Sequence, residues 1–481
     1  MQGKRSRSEL PGLPGKSLVF LYIAAATLPM LAALTSKVEP AGPLSELGTA
    51  FALTATALLF LNFLSSGRYE SLSGQIGIDR TMGFHRIAAY VLLVFALLHP
   101  LSYLAETFLT DPVAAWHRLT GMLASDRLRT GVLALVGLVV IVGLATIRSW
   151  PFMRYEYWRA SHGLLAIAVA GLVLHHALMS GTYSAEVSLR LVWFLLAIMA
   201  VVAIGLVYLV RPWRMWRGDW RVEVVRPLAH RVWEMTLCGP DSTRFQFRAG
   251  QFIWMTLAPH SPPFHDHPFS IASAPTELPK LRLVVREAGD CTNGFGRIEP
   301  GTRVAVDGPH GSFILPEAKG PVVMIAGGVG VAPLLGILEE AAAKSDERRF
   351  HLLYAARKSS ELAGLERLRE LQSRLDLSLR CIVDEMADES GYTAGPLQEE
   401  YVAETLKGTQ PAGVIALVCG PAGMMELATD ILLAAGVPAS SIIYERFDYA
   451  AGRGRLDRQR RRQSLAIFIA LVAAMAAFSL R

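Results

Sequence analysis

Cysteine is scarce in this chain. Cys238, Cys291, Cys381 and Cys419 are the only four in 481 residues, none lies in an apolar run, and none is paired at metal-ligand spacing. A disulfide framework and a zinc site are therefore excluded as organising devices. An excess of one charge is missing too. Lys and Arg number 47 against 41 Asp and Glu, and the small surplus flanks apolar runs instead of forming one patch, which argues for membrane orientation and against nucleic-acid binding. The basic stretch from Lys4 to Lys16 leads into an apolar segment. No clear small-residue cleavage site follows Leu34, so an uncleaved first span is expected rather than a signal peptide.

What the chain has in abundance is apolar length. A mean hydropathy of +0.35 is too high for a purely soluble protein of this size. Six stretches, at roughly 18 to 35, 44 to 64, 84 to 104, 130 to 147, 157 to 179 and 190 to 210, approach the ~20 residues needed to cross a bilayer. Basic residues collect before the first (Lys4, Arg5, Arg7, Lys16), between the second and third (Arg68, Arg80, Arg86), between the fourth and fifth (Arg148, Arg154, Arg159) and after the sixth (Arg211, Arg214, Arg217). Those segments are expected inside, although Arg118, Arg127 and Arg129 fall in an outer loop, and both ends of a six-helix bundle then face the cytoplasm.

From Asp219 the pattern turns soluble. Short alternating segments such as Trp220 to Val225 and Leu281 to Val285, broken by Pro and Gly, predict an antiparallel β-barrel. From about Pro321, apolar strands are followed by helical runs: Val322 to Ala326 then Leu334 to Ala343, and Phe350 to Ala355 then Leu362 to Arg374. That alternation predicts a parallel, doubly wound α/β sheet. An arginine-dense segment, Arg453 to Arg462, then precedes the apolar stretch Leu465 to Leu480. It is short for a span, and either a seventh membrane helix or an interfacial anchor fits it; its basic inner flank favours the span. The expected divisions are 1–217 (membrane), 218–318 (flavin barrel), 319–449 (nucleotide sheet) and 450–481 (basic linker and apolar helix).

Ionisable residues inside membrane helices are costly and mark cofactors or pathways. His85 and His99, 14 residues apart on the third span, would face one side of a helix about 21 Å apart. The fifth span repeats the arrangement with His162 and the adjacent His175 and His176. A lone histidine at a helix end is usually an interfacial or hydrogen-bonded residue, but four at two matched levels predict two bis-histidine haems. His85 would pair with His162 on the inner side, and His99 with His175 on the outer side. On an ideal helix His176 stands closer to the face of His162 than His175 does, because 13 residues rotate the side chain by about 220°.

These spacings resemble the transmembrane domain of the ferric reductase and NADPH oxidase family. The resemblance implies two haem b groups and, through its 13-residue spacing, favours His175 as the outer ligand; irregularity near Gly171 would accommodate it. The soluble half carries the family's reductase motifs in order. His267-Pro268-Phe269-Ser270 resembles the FAD motif, with His267 implied at the pyrophosphate, Phe269 packing on the flavin or adenine and Ser270 near flavin N5. Gly289 and Thr292 would clamp the pyrophosphate, and Asp307-Gly308-Pro309-His310-Gly311 resembles the barrel-closing turn.

Gly327-Gly328-Val329-Gly330-Val331-Ala332-Pro333 sits directly between a strand and a helix. There, glycines permit close backbone approach and the helix start attracts phosphate, although the loop is not the G-x-G-x-x-G fingerprint. Gly327, Gly328, Gly330 and Pro333 are therefore candidate nucleotide contacts. Arg357 and Lys358 follow the next strand, where two cations favour a 2′-phosphate and so NADPH over NADH. Cys419-Gly420-Pro421 resembles the motif on the nicotinamide side, with Cys419 near the hydride-transferring carbon, although a buried structural cysteine is the plainer alternative. Tyr444-Glu445-Arg446-Phe447 resembles the usual end of the module, with Phe447 covering the flavin.

The resemblance implies an oxidoreductase of a bacterial-type inner or plasma membrane, with the FAD and NADP domains cytoplasmic. Electrons would pass from NADPH (NADH possible) through FAD and two haems to an outer acceptor, dioxygen giving superoxide or a ferric chelate. Short outer loops leave both acceptors open. Tyr103 stands where some oxidases of the family carry an extra histidine, which weakens an oxidase-type oxygen pocket. A haem-carrying subunit feeding a periplasmic partner is a rival, opposed by the attached flavin and nucleotide half. No calcium-binding loop or regulatory extension is visible, so no obligatory protein partner is expected.

Overall fold

A computed structural model describes residues 10–66, 69, 74–147, 155–240, 245–257, 266–289, 291–385, 391–446 and 452–481. The chain divides into two compact units: residues 14–68, 81–210 and 461–481 in one, and residues 1–13, 69–80 and 211–460 in the other.

The first unit is helical. Its elements are α1 (Gly15–Ala33), α2 (Pro43–Leu64), α3 (Ile78–Thr110), α4 (Pro112–Ala124), α5 (Arg129–Thr146), α6 (Tyr155–Ser180) and α7 (Val187–Gly205). A π-helical turn, Leu206–Val210, ends this stretch of the first unit, and α8 (Arg211–Arg217) belongs to the second. Among the described residues, seven helices are long and apolar enough to cross a membrane, one of them α13 (Arg455–Ser479). Their outer faces leave large apolar side chains uncovered, Leu164, Val201 and Leu209 among them, as a surface meeting lipid should.

One helix differs. The most apolar window of α2 is 72% buried, against 11 to 28% for the other six, so α2 runs through the middle of the bundle. It is correspondingly rich in small and polar residues. Glu46, Thr49, Thr54, Thr56 and Asn62 are all buried, and buried polar groups away from water need partners. Thr49 and the Tyr103 hydroxyl pair at 2.7 Å, and the Tyr183 hydroxyl donates to the Glu46 carboxylate at 2.9 Å. Arg481 donates to the same carboxylate at 3.0 Å. Midway along α13, Phe468 packs against Phe84 of α3 and Tyr22 of α1, with ring centroids 5.6 and 6.5 Å apart. These contacts seat the helix in the bundle.

The loop expected between the third and fourth spans contains α4. Asp111 caps it, accepting from the backbone N–H of Val113 (2.9 Å) and Ala114 (3.1 Å), and Pro112 occupies the first turn. Both are helix-start signals.

The second unit holds two six-stranded sheets. The first comprises β1 (Trp220–Ala229), β2 (Val232–Cys238), β3 (Phe252–Leu257), β4 (His267–Ser270), β5 (Lys280–Arg286) and β6 (Arg303–His310). They lie in the order β4-β3-β6-β1-β2-β5 and pair antiparallel. An isolated bridge between Ile271 and Leu283 joins the chain after β4 to β5, the opposite edge, which closes the sheet into a barrel around Met235, Leu237, Ile253, Phe269, Leu281 and Phe295.

The second sheet is parallel, in the order β10-β9-β8-β7-β11-β12. Its strands are β7 (Val322–Gly327), β8 (Phe350–Ala356), β9 (Leu377–Val383), β10 (Thr393–Ala394), β11 (Ile415–Cys419) and β12 (Ile442–Tyr444), with helices α9 (Val331–Ala343), α10 (Leu365–Gln372), α11 (Glu399–Leu406) and α12 (Ala422–Ala434) between them. All six residues of β7 are buried, as expected of a central strand covered on both faces. Val322, Met324 and Ala326 pack with Leu334 and Leu338 of α9. Val323 and Ile325 pack on the other face with Val402, Met425 and Leu432. The strand order reverses direction between β7 and β11, and ligands of such sheets bind beyond the strand ends at that switch point.

Candidate functional site

In the bundle, α2 fixes the histidines of α3. Nδ1 of His85 lies 3.2 Å from the Asn62 carbonyl oxygen, and Nδ1 of His99 lies 2.9 Å from that of Gly48. A carbonyl only accepts, so each Nδ1 carries the proton and each Nε2 keeps a free lone pair. This is the arrangement that orients and polarises metal-binding imidazoles. The close approach of α2 to α3 here depends on Gly48 lacking a side chain: a Cβ there would come within 3.1 to 3.3 Å of Ser102 Cβ, the His99 carbonyl oxygen and the Tyr103 ring.

His162 of α6 faces His85 with ring centroids 6.5 Å apart and planes inclined at 62°. At that separation the rings still meet edge-on, close enough for nitrogens of both to reach one metal atom by bonds of about 2 Å each. Trp158, one turn earlier, stacks on His162 at 5.3 Å. Among the described residues, Nδ1 of His162 and Nδ1 of His176 are buried without hydrogen-bond partners, a costly state for a polar atom that a ligand would relieve. The histidine set therefore fits haem at the inner level on geometry and at the outer level on chemistry.

At the outer level the two adjacent histidines diverge. His175 is exposed, with Nδ1 3.3 Å from the Thr130 hydroxyl of α5. His176 is half-buried and within electrostatic reach of His99. Its ring lies over Gly131, where any Cβ would stand 2.6 to 2.9 Å from three ring atoms. Tyr103 packs edge-on to His99 at 5.3 Å.

In the barrel, β4 presents His267, Pro268, Phe269 and Ser270 alongside β3, with His267 opposite Met255. His267, Pro268 and Ser270 are half-buried. Phe269 points into the barrel core, 8% exposed and 5.5 Å from the Phe295 ring. Gly289 and Thr292 form one turn: the Thr292 N–H donates to the Gly289 carbonyl (3.0 Å), and the Thr292 hydroxyl accepts from the Ala288 N–H (2.9 Å). In the barrel-closing turn the Asp307 carboxylate meets both Arg211 Nε (3.0 Å) and His310 Nε2 (3.1 Å).

At the switch point, the loop after β7 and the loop after β11 pack backbone on backbone. A Cβ on Gly330 would collide with the Cys419 carbonyl, and one on Gly327 would lie 2.6 Å from Met424 Sδ and 2.7 Å from Pro421. Gly328 has φ +52°, a left-handed conformation that favours glycine. Gly420 faces Gly327 across the same gap, and Pro333 lies in the first turn of α9. The sequence motifs Gly327 to Pro333 and Cys419 to Pro421 thus meet at one place.

Cys419 is 4% exposed. Burial, reinforced by the nearby Glu445 charge, pushes its thiol up to about 12, so it acts as a neutral, polarisable group and not as a thiolate. Glu445 is 3% exposed, and its carboxylate sits against Gly311, whose φ is +99°. Sequence reading named Glu445 only within the closing motif and left out Trp158 and Gly131. The fold brings Glu445 to Gly311 and Gly131 to His176, whereas Trp158 lies one helical turn from His162 and its i,i+4 spacing was a signal that could have found it. Phe447 lies outside the described residues.

Matches to known families give the class, an oxidoreductase with FAD- and NAD-binding reductase domains joined to membrane-type helices. Residues 51–173 match the family described as ferric reductase like transmembrane component, residues 222–313 an FAD-binding domain, and residues 324–430 an oxidoreductase NAD-binding domain. In this order they give the chain the architecture of the ferric reductase and NADPH oxidase family. The first match ends two residues before His175. Similar proteins include the reductase component of propane 2-monooxygenase from Rhodococcus jostii, 26% identical over 47% of this chain. The reductase subunit of an aromatic O-demethylase from Amycolatopsis is 32% identical over 37% of it. The chain spans 62% and 54% of their respective lengths. A crystal structure of an Amycolatopsis cytochrome P450 reductase aligns with a TM-score of 0.43 at 26% identity, over 48% of this chain and 69% of that one.

Proposed function

We propose that the chain carries electrons from a cytoplasmic nicotinamide nucleotide across the membrane to an acceptor on the outer side, by way of FAD and two b-type haems. The observation that carries this reading is the His85 and His162 pair, facing across 6.5 Å in a chain that also holds both reductase domains. When bound, FAD would take a hydride and release electrons singly, and haems would relay them one at a time.

The residues have separable duties. Gly327, Gly328 and Gly330 let nucleotide phosphates approach the start of α9, while Cys419 and Gly420 form the adjoining wall where nicotinamide would lie. His267, Pro268, Ser270, Gly289 and Thr292 line the FAD side, while Phe269, turned into the barrel core against Phe295, supports β4 from within and does not pack on the flavin. His85 and His162 would hold the inner haem. His99 would hold the outer one with His175 or His176, and the inward placement of His176 over Gly131 favours the latter. NADPH is the donor that Arg357 and Lys358, taken alone, would choose. Basic residues beside the helix ends favour an inner-membrane protein with the reductase half in the cytoplasm.

Dioxygen, giving superoxide, is the proposed acceptor, with ferric chelate as the second reading. Tyr103, hydrogen-bonded to Thr49 beside His99, fills the place of a further histidine and favours the second. The deciding experiment reduces the purified chain with nicotinamide nucleotide under argon, then adds air or ferric chelate while following visible spectra and dismutase-sensitive dye reduction. Reoxidation in air with a dismutase-sensitive signal supports the oxidase. Fast reoxidation only by ferric chelate supports the reductase, and absence of haem overturns both. Should the haems reduce but reoxidise only when a periplasmic partner protein is added, the subunit reading replaces them.

A further inference from the structure

The two cations after β8 are not left open to a ligand's charge. Arg357 Nη2 lies 3.3 Å from the Glu361 carboxylate, which is only 10% exposed, and Arg357 Nε lies 3.7 Å from Glu385. Lys358 Nζ lies 3.4 Å from the other oxygen of Glu385. One carboxylate, at the end of β9, thus stands between both cations.

Its placement is built into the sheet. β8 and β9 are parallel neighbours in register, Ala356 opposite Val383, and the pairing continues past the strand ends. Asp384 N–H donates to the Ala356 carbonyl (3.2 Å) and Glu385 N–H to the Arg357 carbonyl (2.8 Å). The backbone therefore holds Glu385 beside Arg357 and Lys358 at the carboxyl edge of the sheet, on the side where doubly wound folds receive the adenosine ribose.

Arg286 Nη2 lies 3.9 Å from the other oxygen of Glu361 and Asp384 is exposed beside Glu385, so three basic and three acidic side chains gather here and no cation is in excess. A 2′-phosphate dianion arriving here must compete with the Glu385 carboxylate for both cations. A ribose with an unmodified 2′-hydroxyl can instead donate a hydrogen bond to that carboxylate. We infer that Glu385 is the specificity-determining residue for the nucleotide and makes NADH, not NADPH, the preferred donor. This inference rests on the nucleotide-binding reading above. The ion pairs themselves are solvent-exposed, with 52 to 59% of each of Arg357, Lys358 and Glu385 accessible, and contribute little to stability. Their weight lies in the charge presented to the ligand.

The test measures kcat/KM for flavin reduction by NADH and by NADPH in the full-length holoprotein. Competition by 2′,5′-ADP and by 5′-AMP is measured alongside, for the natural chain, Glu385→Gln, and the double substitution Arg357→Ala with Lys358→Ala. The natural chain should favour NADH. Glu385→Gln should raise the NADPH to NADH ratio about tenfold, as one unit charge removed near a phosphate dianion in an exposed site implies, through KM and with tighter 2′,5′-ADP inhibition. A natural preference for NADPH overturns the inference. So does an unchanged ratio in Glu385→Gln when the double substitution still weakens nucleotide use; in that case the nucleotide reading stands. If neither variant moves KM for either nucleotide, this sheet edge is not the ribose site, and the reading beneath the inference falls as well.

Discussion

The membrane bundle and the nucleotide sheet build their sites in opposite ways. In the bundle the chemistry sits on side chains, and the backbone serves to aim them: one carbonyl of α2 fixes each histidine of α3. At the switch point the backbone itself forms the binding surface, and side chains are excluded so that it can be approached, as Gly327 and Gly330 show. The contrast follows from the surroundings. Lipid offers no partner to an exposed peptide group, so a membrane helix keeps its backbone bonded internally and works through side chains. A βα turn in water can leave N–H groups open for phosphate.

The sharpest way to break the comparison is to place a side chain where the backbone does the work. Gly330→Val should drive the Cys419 carbonyl from its place and lower nucleotide-driven flavin reduction by about a hundredfold or more, as small misplacements in such sites do. Haem content and spectrum should remain unchanged. Stopped-flow absorbance separates the two, and loss of haem in this variant would show that the sites are not independent in the way described.

Next in size is the buried ion pair of the bundle. Arg481 meets Glu46, which is 1% exposed, and the Tyr183 hydroxyl. Removing the cation leaves a buried carboxylate uncompensated, so Arg481→Ala should destabilise the bundle by about 3–5 kcal/mol. Thermal unfolding in detergent would measure it, and Arg481→Met combined with Glu46→Gln should recover most of the loss. An Arg481→Ala protein as stable as the parent would mean that α13 is not held by this pair.

The smallest effect concerns Cys419. Its folded value lies above that of a free thiol, 9.0, at about 12. The buried thiol therefore contributes stability that is fully present below about pH 9 and is lost as pH rises towards 12. Iodoacetamide labelling of the native protein at pH 8, read by mass spectrometry, should modify Cys419 more slowly than the half-buried Cys238 and Cys291. Preferential labelling of Cys419 would identify it as an activated thiolate.

Much of this was legible in the sequence because it is periodic or local. Apolar length marked six spans and left the seventh open; alternation marked the barrel, and the strand-helix rhythm marked the parallel sheet. The glycine loop announced itself by its position between β7 and α9. What stayed hidden depends on neighbours distant in the chain. Hydropathy does not distinguish α2 from the lipid-facing helices, yet its buried Glu46 and Asn62 are what the bundle closes around. Arg357 and Lys358 look like an open phosphate site until β9 brings Glu385 beside them. The helix α4 was within reach, since Asp111-Pro112 is a helix-start signal, but its short apolar face resembles a loop next to long spans. The choice between His175 and His176 turns on Gly131, a residue on another helix.

The central claim is that α3 and α6 hold two haems between them. The most direct measurement is haem per polypeptide by pyridine haemochrome, with low-temperature EPR, for the parent chain and for His85→Ala and His162→Ala. Two low-spin, bis-imidazole haems in the parent, and a single remaining haem of unchanged EPR signal in each variant, is the result predicted. A parent chain without haem, or two haems persisting in His85→Ala, would contradict it.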